Sequence, residues 1–224
     1  MEHPILFLDL ILGQFGVHIP PHVTYAWAVM LILVGLGVMA SRRVTLVPAG
    51  AQNVFELIIG GLEDFMVEIT GEEGRAFFPY IATVFIYIAV CNLIGLIPGF
   101  LSPTANINTT LSLALCTFVY THYLGVKYHG VKYIKQFLGP ILWLSPLMFL
   151  IEVIGHLARP LSLTMRLFGN IRGEDIVLGV VLMLVPALVP LPVFFLMIFT
   201  SFIQTIVFML LSMMYIAGAM AEAH

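Results

Sequence analysis

Charge is what this sequence has least of. Asp, Glu, Lys and Arg together make up 9% of its 224 residues, while 61% are hydrophobic. A soluble domain carries about 25% charged residues. That excludes an ordinary soluble fold and points to a polytopic, all-α membrane protein. The net charge of −3 weighs against nucleic acid as a partner. There are two cysteines, Cys91 and Cys116, both within apolar runs. They read as packed core residues, not as a disulfide or a metal pair. His122 and His129 read as interfacial, and no residue spacing suggests a metal site, so no cofactor is expected. A phosphate-binding glycine loop is missing, so the chain is not expected to bind or hydrolyse a nucleotide itself. No basic segment precedes the first apolar run, and Glu2 and Asp9 make that region acidic. This does not read as a signal or transit peptide and leans toward a bacterial plasma membrane. There is neither an inverted internal repeat nor a low-complexity segment.

What is present is apolar sequence in lengths that suit a bilayer. Residues 1–224 read as one membrane domain of five embedded helical segments plus one amphipathic interfacial helix. The run before Pro20-Pro21 is too short to span. A first span covers 22–41 and is followed by Arg42-Arg43. Residues 48–73 form an amphipathic helix. Its apolar face is Val54, Ile58, Leu62, Phe65 and Ile69, and Glu56, Glu63, Asp64 and Glu68 keep it out of the bilayer core. That acidity favours a protein partner over anionic lipid. The second span covers 77–99, a turn-rich loop 100–106, and the third span 107–126. Lys127, Lys132 and Lys135 follow. Residues 138–185 form a long segment in which Pro160 allows a kink. Pro186, Pro190 and Pro192 mark a turn before the last helix, 193–221. At about 1.5 Å per residue that helix is about 43 Å long against a core of about 30 Å, so it should tilt. The basic residues place their loops in the cytoplasm. The N-terminus is then outside and the C-terminus inside.

Glu152 to Asp175 stands apart within the long segment. It holds three arginines, three acids, a histidine and an asparagine. At about 100° per residue, Glu152, His156, Arg159, Arg166, Asn170 and Glu174 share one helical stripe. Gly155, Ser162 and Gly173 lie beside it, small enough for another backbone to come close. An ionisable group at membrane depth costs about 2.5–3.5 kcal/mol on insertion scales. Arginine cannot escape that cost by losing its proton. Arg166 has no acid at i±3 or i±4, so its partner lies elsewhere. For Arg159 and Arg172 a structural or interfacial snorkelling role weighs at least as much as a direct one. In the last helix Ser201, Gln204, Thr205, Ser212 and Tyr215 share a stripe. Tyr80, Thr83, Tyr87, Cys91 and Asn92 run along the second span, and Asn106 and Asn108 sit at the outer mouth of the third. Taken singly, Asn92, Asn108 and Gln204 read as interhelical hydrogen-bonding residues. Taken together, they could line a route from outside toward the stripe.

Arg159-Pro160-Leu161-Ser162-Leu163 followed by Arg166-Leu167-Phe168-Gly169-Asn170 closely resembles the signature of subunit a of F-type ATP synthases. The likeness extends to residues 91–98, to 105–111 and to Gln204. The resemblance implies a proton-conducting stator subunit with two offset half-channels serving a ring of c subunits. Other expected partners are a b-type peripheral stalk, the remaining synthase subunits and the lipid bilayer. By the same resemblance Arg166 is the essential arginine facing the ring, and Gln204 is its companion. Glu152 is the acid near the cytoplasmic half-channel, and Asn92, Asn108 and Asn170 are polar positions near the ion route. The two long last segments form a tilted hairpin against the ring. Asp175, with Glu174 just ahead of it, stands where the family often has a carboxylate or histidine. Met197 occupies the position of that group's partner, and Gly95 replaces an acid found in some members. His156 completes the set of residues expected to serve proton translocation. A secondary ion-coupled transporter is the rival class, and a passive scaffold is a third.

Overall fold

A computed structural model of the chain describes residues 19–41, 51–97, 99–130, 133, 145–185 and 188–220. Several sequence expectations lie outside those residues: the N-terminal run, Arg42 and Arg43, Lys132 and Lys135, Pro186 and the first residues of the long segment. The described chain is all-helical. Its α-helices are α1 (Pro21–Ser41), α2 (Ala51–Thr70), α3 (Phe78–Ile94), α4 (Ile107–His129), α5 (Ser145–Leu184) and α6 (Pro190–Met220). Short 3-10 turns, Glu72–Phe77 and Pro103–Ala105, join α2 to α3 and α3 to α4.

Local chemistry sets the boundaries. Gly71 adopts φ +74, so the chain leaves α2 in a conformation that a side chain disfavours. Asn106 caps α4, its Oδ1 accepting from the Asn108 backbone N–H at 2.9 Å. Four threonine and serine hydroxyls of α4, on Thr110, Ser112, Thr117 and Thr121, bond carbonyls three or four residues back. A helix with that many hydroxyls can therefore be buried without leaving polar atoms bare. Pro160 sits inside α5, where the Thr164 hydroxyl donates to its carbonyl at 2.7 Å.

The helices α3 to α6 form the bundle. Val84 and Ile88 of α3, Ala114 of α4, Leu163, Leu167 and Ile171 of α5 and Phe208 of α6 make one core. A second core joins Met66 of α2 to Ile81, Leu124, Met209, Met213 and Ile216. Lipid tails are as apolar as these side chains, so close packing holds the bundle together, with little help from the hydrophobic effect. The turn after α3 illustrates that closeness. A Cβ built on Gly95 would stand 2.5 Å from the Ser102 Cβ.

Among the described residues, three helices are long and apolar enough to cross a membrane: Pro21–Ala40, Gly74–Ile94 and Pro190–Met220. Of the remaining long helices, α4 and α5 carry hydroxyls and charges and pack against each other. The amphipathic helix differs in detail from its sequence pattern. Leu62 and Met66 of α2 reach the bundle, whereas Ile58 and Phe65 stay exposed. On its other side Arg75 lies 3.6 Å from Glu63 and 3.1 Å from Glu72. These pairs are exposed, and exposed ion pairs are worth about 0–1 kcal/mol.

Candidate functional site

The polar stripe of α5 divides into three places along the helix. Toward its N-terminal end, His156 is 8% exposed and turned into the bundle. Its Nδ1 donates to the Glu152 carbonyl at 2.9 Å and lies 3.4 Å from Glu152 Oε1. One turn on, the Arg159 guanidinium sits over the Tyr215 ring, 5.4 Å from its centroid. A cation over an aromatic face is attracted by the ring quadrupole, the more so where water is scarce. Glu152, His156, Arg159, Tyr215 and Tyr133 line a cavity of about 90 Å³. Tyr133 is buried against Gly125, where a Cβ would meet its ring at 2.5 Å. Burial raises the Tyr133 hydroxyl above its ordinary pKa, Arg159 opposing and Glu152 adding to the shift. It is therefore a neutral hydrogen-bonding group at neutral pH.

In the middle of α5, Leu163, Thr164, Leu167 and Ile171 face the core. The other side presents Ser162, Met165, Arg166, Gly169 and Asn170, all exposed. A Cβ built on Gly155, Gly169 or Gly173 would meet nothing within 4 Å. Arg166 thus stands on an open strip of small and polar residues. It makes no salt bridge among the described residues. Beside it the Asn170 Nδ2 donates to Gln204 Oε1 on α6. Gln204 is only 3% exposed, and its Nε2 has no hydrogen-bond partner among the described residues. A buried amide donor left over is costly, by about 1–3 kcal/mol. The arrangement sets one fixed cation and one unspent donor next to an open surface.

Farther along, Glu174 and Asp175 are half-buried. Glu174 lies near the Thr200 hydroxyl of α6, and Asp175 near Arg172. Met197 is buried close by in sequence to Thr200.

Two residues that the sequence grouped with the stripe sit apart from it. Asn92 is 2% exposed and bound on every side. Its Nδ2 donates to the Ser201 carbonyl at 3.3 Å and to the Thr205 Oγ1 at 3.2 Å. Its Oδ1 accepts from the Thr104 hydroxyl at 2.6 Å, and Thr104 meets Ser102 at 2.7 Å. This network ties α3, the 103–105 turn and α6 together. Asn108 is exposed at the start of α4, with its backbone held by the Asn106 cap. Sequence reasoning passed over Tyr133, Ser102 and Thr104. Gly125, beside which Tyr133 packs, was the available signal for the first.

Comparison with known proteins places these features in one family. The family described as ATP synthase A chain matches residues 23–217. Curated relatives named ATP synthase subunit a align over the full length of both chains. They include those of Syntrophobacter fumaroxidans, 55% identical over 239 residues, and Desulfosudis oleivorans, 55% over 229. That of Citrifermentans bemidjiense is 52% identical over 230 residues. Three apolar spans among the described residues, a long helix carrying RLFGN from Arg166 to Asn170, and a match over nearly its whole length make this chain a member of the ATP synthase A chain family.

Proposed function

We propose that the chain is the proton-conducting stator subunit of a rotary ATP synthase, with two offset half-channels that serve the carboxylates of a c-subunit ring. Membership of the family supports a place in the membrane sector of the synthase. The finer reading rests on one observation: Arg166 is exposed on a strip of small residues and lacks an ion pair among the described residues. A guanidinium at membrane depth needs a counter-charge. An anion from a passing subunit supplies it without filling the site permanently.

The chemistry follows from charge. A ring carboxylate approaching Arg166 is held ionised, because an opposite charge within about 4–6 Å favours the charged form. It must therefore release its proton before passing. A fixed cation also repels a proton hopping directly between the two faces. Protons enter from outside past Asn108, Glu174 and Asp175, with Asn92, Asn170 and Gln204 shaping that side. They leave past His156 and Glu152, beside the polar cavity, to the cytoplasm. The sequence pattern of five embedded segments with basic loops between them supports an N-terminus outside and a C-terminus inside a bacterial plasma membrane. A b-type stalk subunit holds the chain still against the ring.

Replacement of Arg166 by alanine tests this reading. Proton-driven ATP synthesis in vesicles should be abolished, and normal coupled synthesis in that variant would refute the assignment.

A further inference from the structure

Two imidazoles meet between α4 and α5, and only one of them lies on the polar stripe. The rings of His122 and His156 have centroids 5.2 Å apart and planes inclined at 71°. Each Nδ1 lies 2.9 Å from the carbonyl oxygen four residues earlier, Phe118 for His122 and Glu152 for His156. A carbonyl only accepts, so Nδ1 carries the proton in both neutral rings. Nε2 is then the basic nitrogen of each. Each of these carbonyls belongs to the histidine's own helix.

Their surroundings suit a mobile proton. His156 borders the 90 Å³ cavity with Glu152, Arg159, Tyr133 and Tyr215. His122 borders an adjoining cavity of about 10 Å³ that shares Arg159 and Tyr215. His122 also meets the Tyr133 ring edge-on at 6.0 Å. A water needs about 10–15 Å³, so the larger space has room for several beside polar side chains. Among the described residues, the charged and titratable groups facing the pair are Glu152 and Arg159 of α5, Tyr133, and Tyr215 of α6. Two imidazolium ions at this spacing repel each other, and Arg159 adds a third positive charge. Glu152 offsets one. This geometry favours passing protons through the pair one at a time.

We propose that His122 and His156 act together as a single-proton station on the cytoplasmic route, between the Arg166 face and Glu152. This deepens the proton-conducting reading and rests on it. A proton arriving at either Nε2 makes one imidazolium. Transfer from that Nε2 to a water in the cavity returns the ring to neutral, and the water carries the charge to Glu152 or to bulk. Nothing else is consumed or formed.

The test uses the assembled ATP synthase in liposomes with its cytoplasmic side facing the bath. ATP-driven proton pumping is measured per assembled complex as bath pH is stepped from about 5 to 8, the range in which imidazole ordinarily titrates. The ratio of variant to unmodified rate at each pH cancels the pH dependence of the catalytic head. His122→Gln and His156→Gln should each lower pumping by about a hundred-fold, the low end of what a positioned proton-transfer group contributes. The ratio should vary with pH, and the double variant should fall within about two-fold of either single one, since groups acting as a unit are not additive. His122 is half-exposed, so its variant keeps the test available if His156→Gln does not assemble. A ratio that stays constant with pH, whether near one or reduced, overturns the proposal. Arg166→Ala separates the two failures. If it still pumps, the proton-conducting reading itself fails. If it is inactive while the histidine ratios are flat, only the station fails.

Discussion

At the scale of the residue, the pairing of Asn170 with Gln204 asks most of the bundle. The Asn170 amide uses the oxygen of Gln204 and leaves the nitrogen of Gln204 buried without a partner. Interhelical hydrogen bonds in membranes are worth about 0.6–2 kcal/mol, so the pair contributes little to folding. Replacing either side chain by leucine should leave assembly intact and lower proton-driven synthesis several-fold. A double-mutant cycle on the synthesis rate checks this, and coupling above about 0.5 kcal/mol is the expected outcome. Glu152→Gln should slow proton flux without blocking it, since the cavity keeps its other polar walls. Passive flux in vesicles is the measurement, and an unchanged rate counts against the role of Glu152. Arg166 could be singled out from the sequence because its lack of a neighbouring acid is a matter of counting along one helix. The surroundings of His122 could not. The sequence places it near the end of an apolar run, where an interfacial position is the natural expectation. Its contact with His156 depends on how α4 and α5 register against each other, which neither helix specifies alone.

At the scale of the element, the turn after α3 is the most constrained feature. Gly95 lies where a Cβ would strike Ser102, and Ser102 in turn donates to the Cys91 carbonyl at 2.9 Å. Asn92, one residue after Cys91, is closed off by Thr104, Ser201 and Thr205. This chain therefore cannot carry an acid at Gly95 without opening the turn. Gly95→Ala should destabilise the subunit by about 1–3 kcal/mol through overpacking. A lower melting temperature in detergent checks it, and an unchanged one contradicts it. The all-helical class is legible from apolar run lengths alone, because backbone groups in lipid must be satisfied within the segment. The closing of the Asn92 network is not legible. It requires a loop residue, Thr104, to fold back under a helix, and no periodicity records that. The amphipathic helix shows the same limit. Periodicity gives α2 an apolar face, but among the described residues the bundle core takes Leu62 from it and adds Met66, which lies off that face.

At the scale of the whole molecule, α5 and α6 turn many apolar side chains outward. Leu157, Leu161 and Met165 of α5, and Phe195, Phe199 and Phe202 of α6, are all more than 48% exposed. The Arg166 strip runs through this surface. Lipid suits the apolar side chains but not the guanidinium, so the two together call for a protein surface that is mostly apolar and carries an anion. The c-subunit ring of the proposed complex fits that description.

Cysteine crosslinking tests this claim most directly. With Cys116 replaced by serine, single cysteines at Ser162, Gly169 and Gly173 would be paired with cysteines flanking the ring carboxylate in the assembled synthase. Disulfides forming from these three positions, and not from control cysteines on the lipid-facing side of α1, are the predicted result. Equal reactivity at the α1 controls, or none along the Arg166 strip, would contradict it.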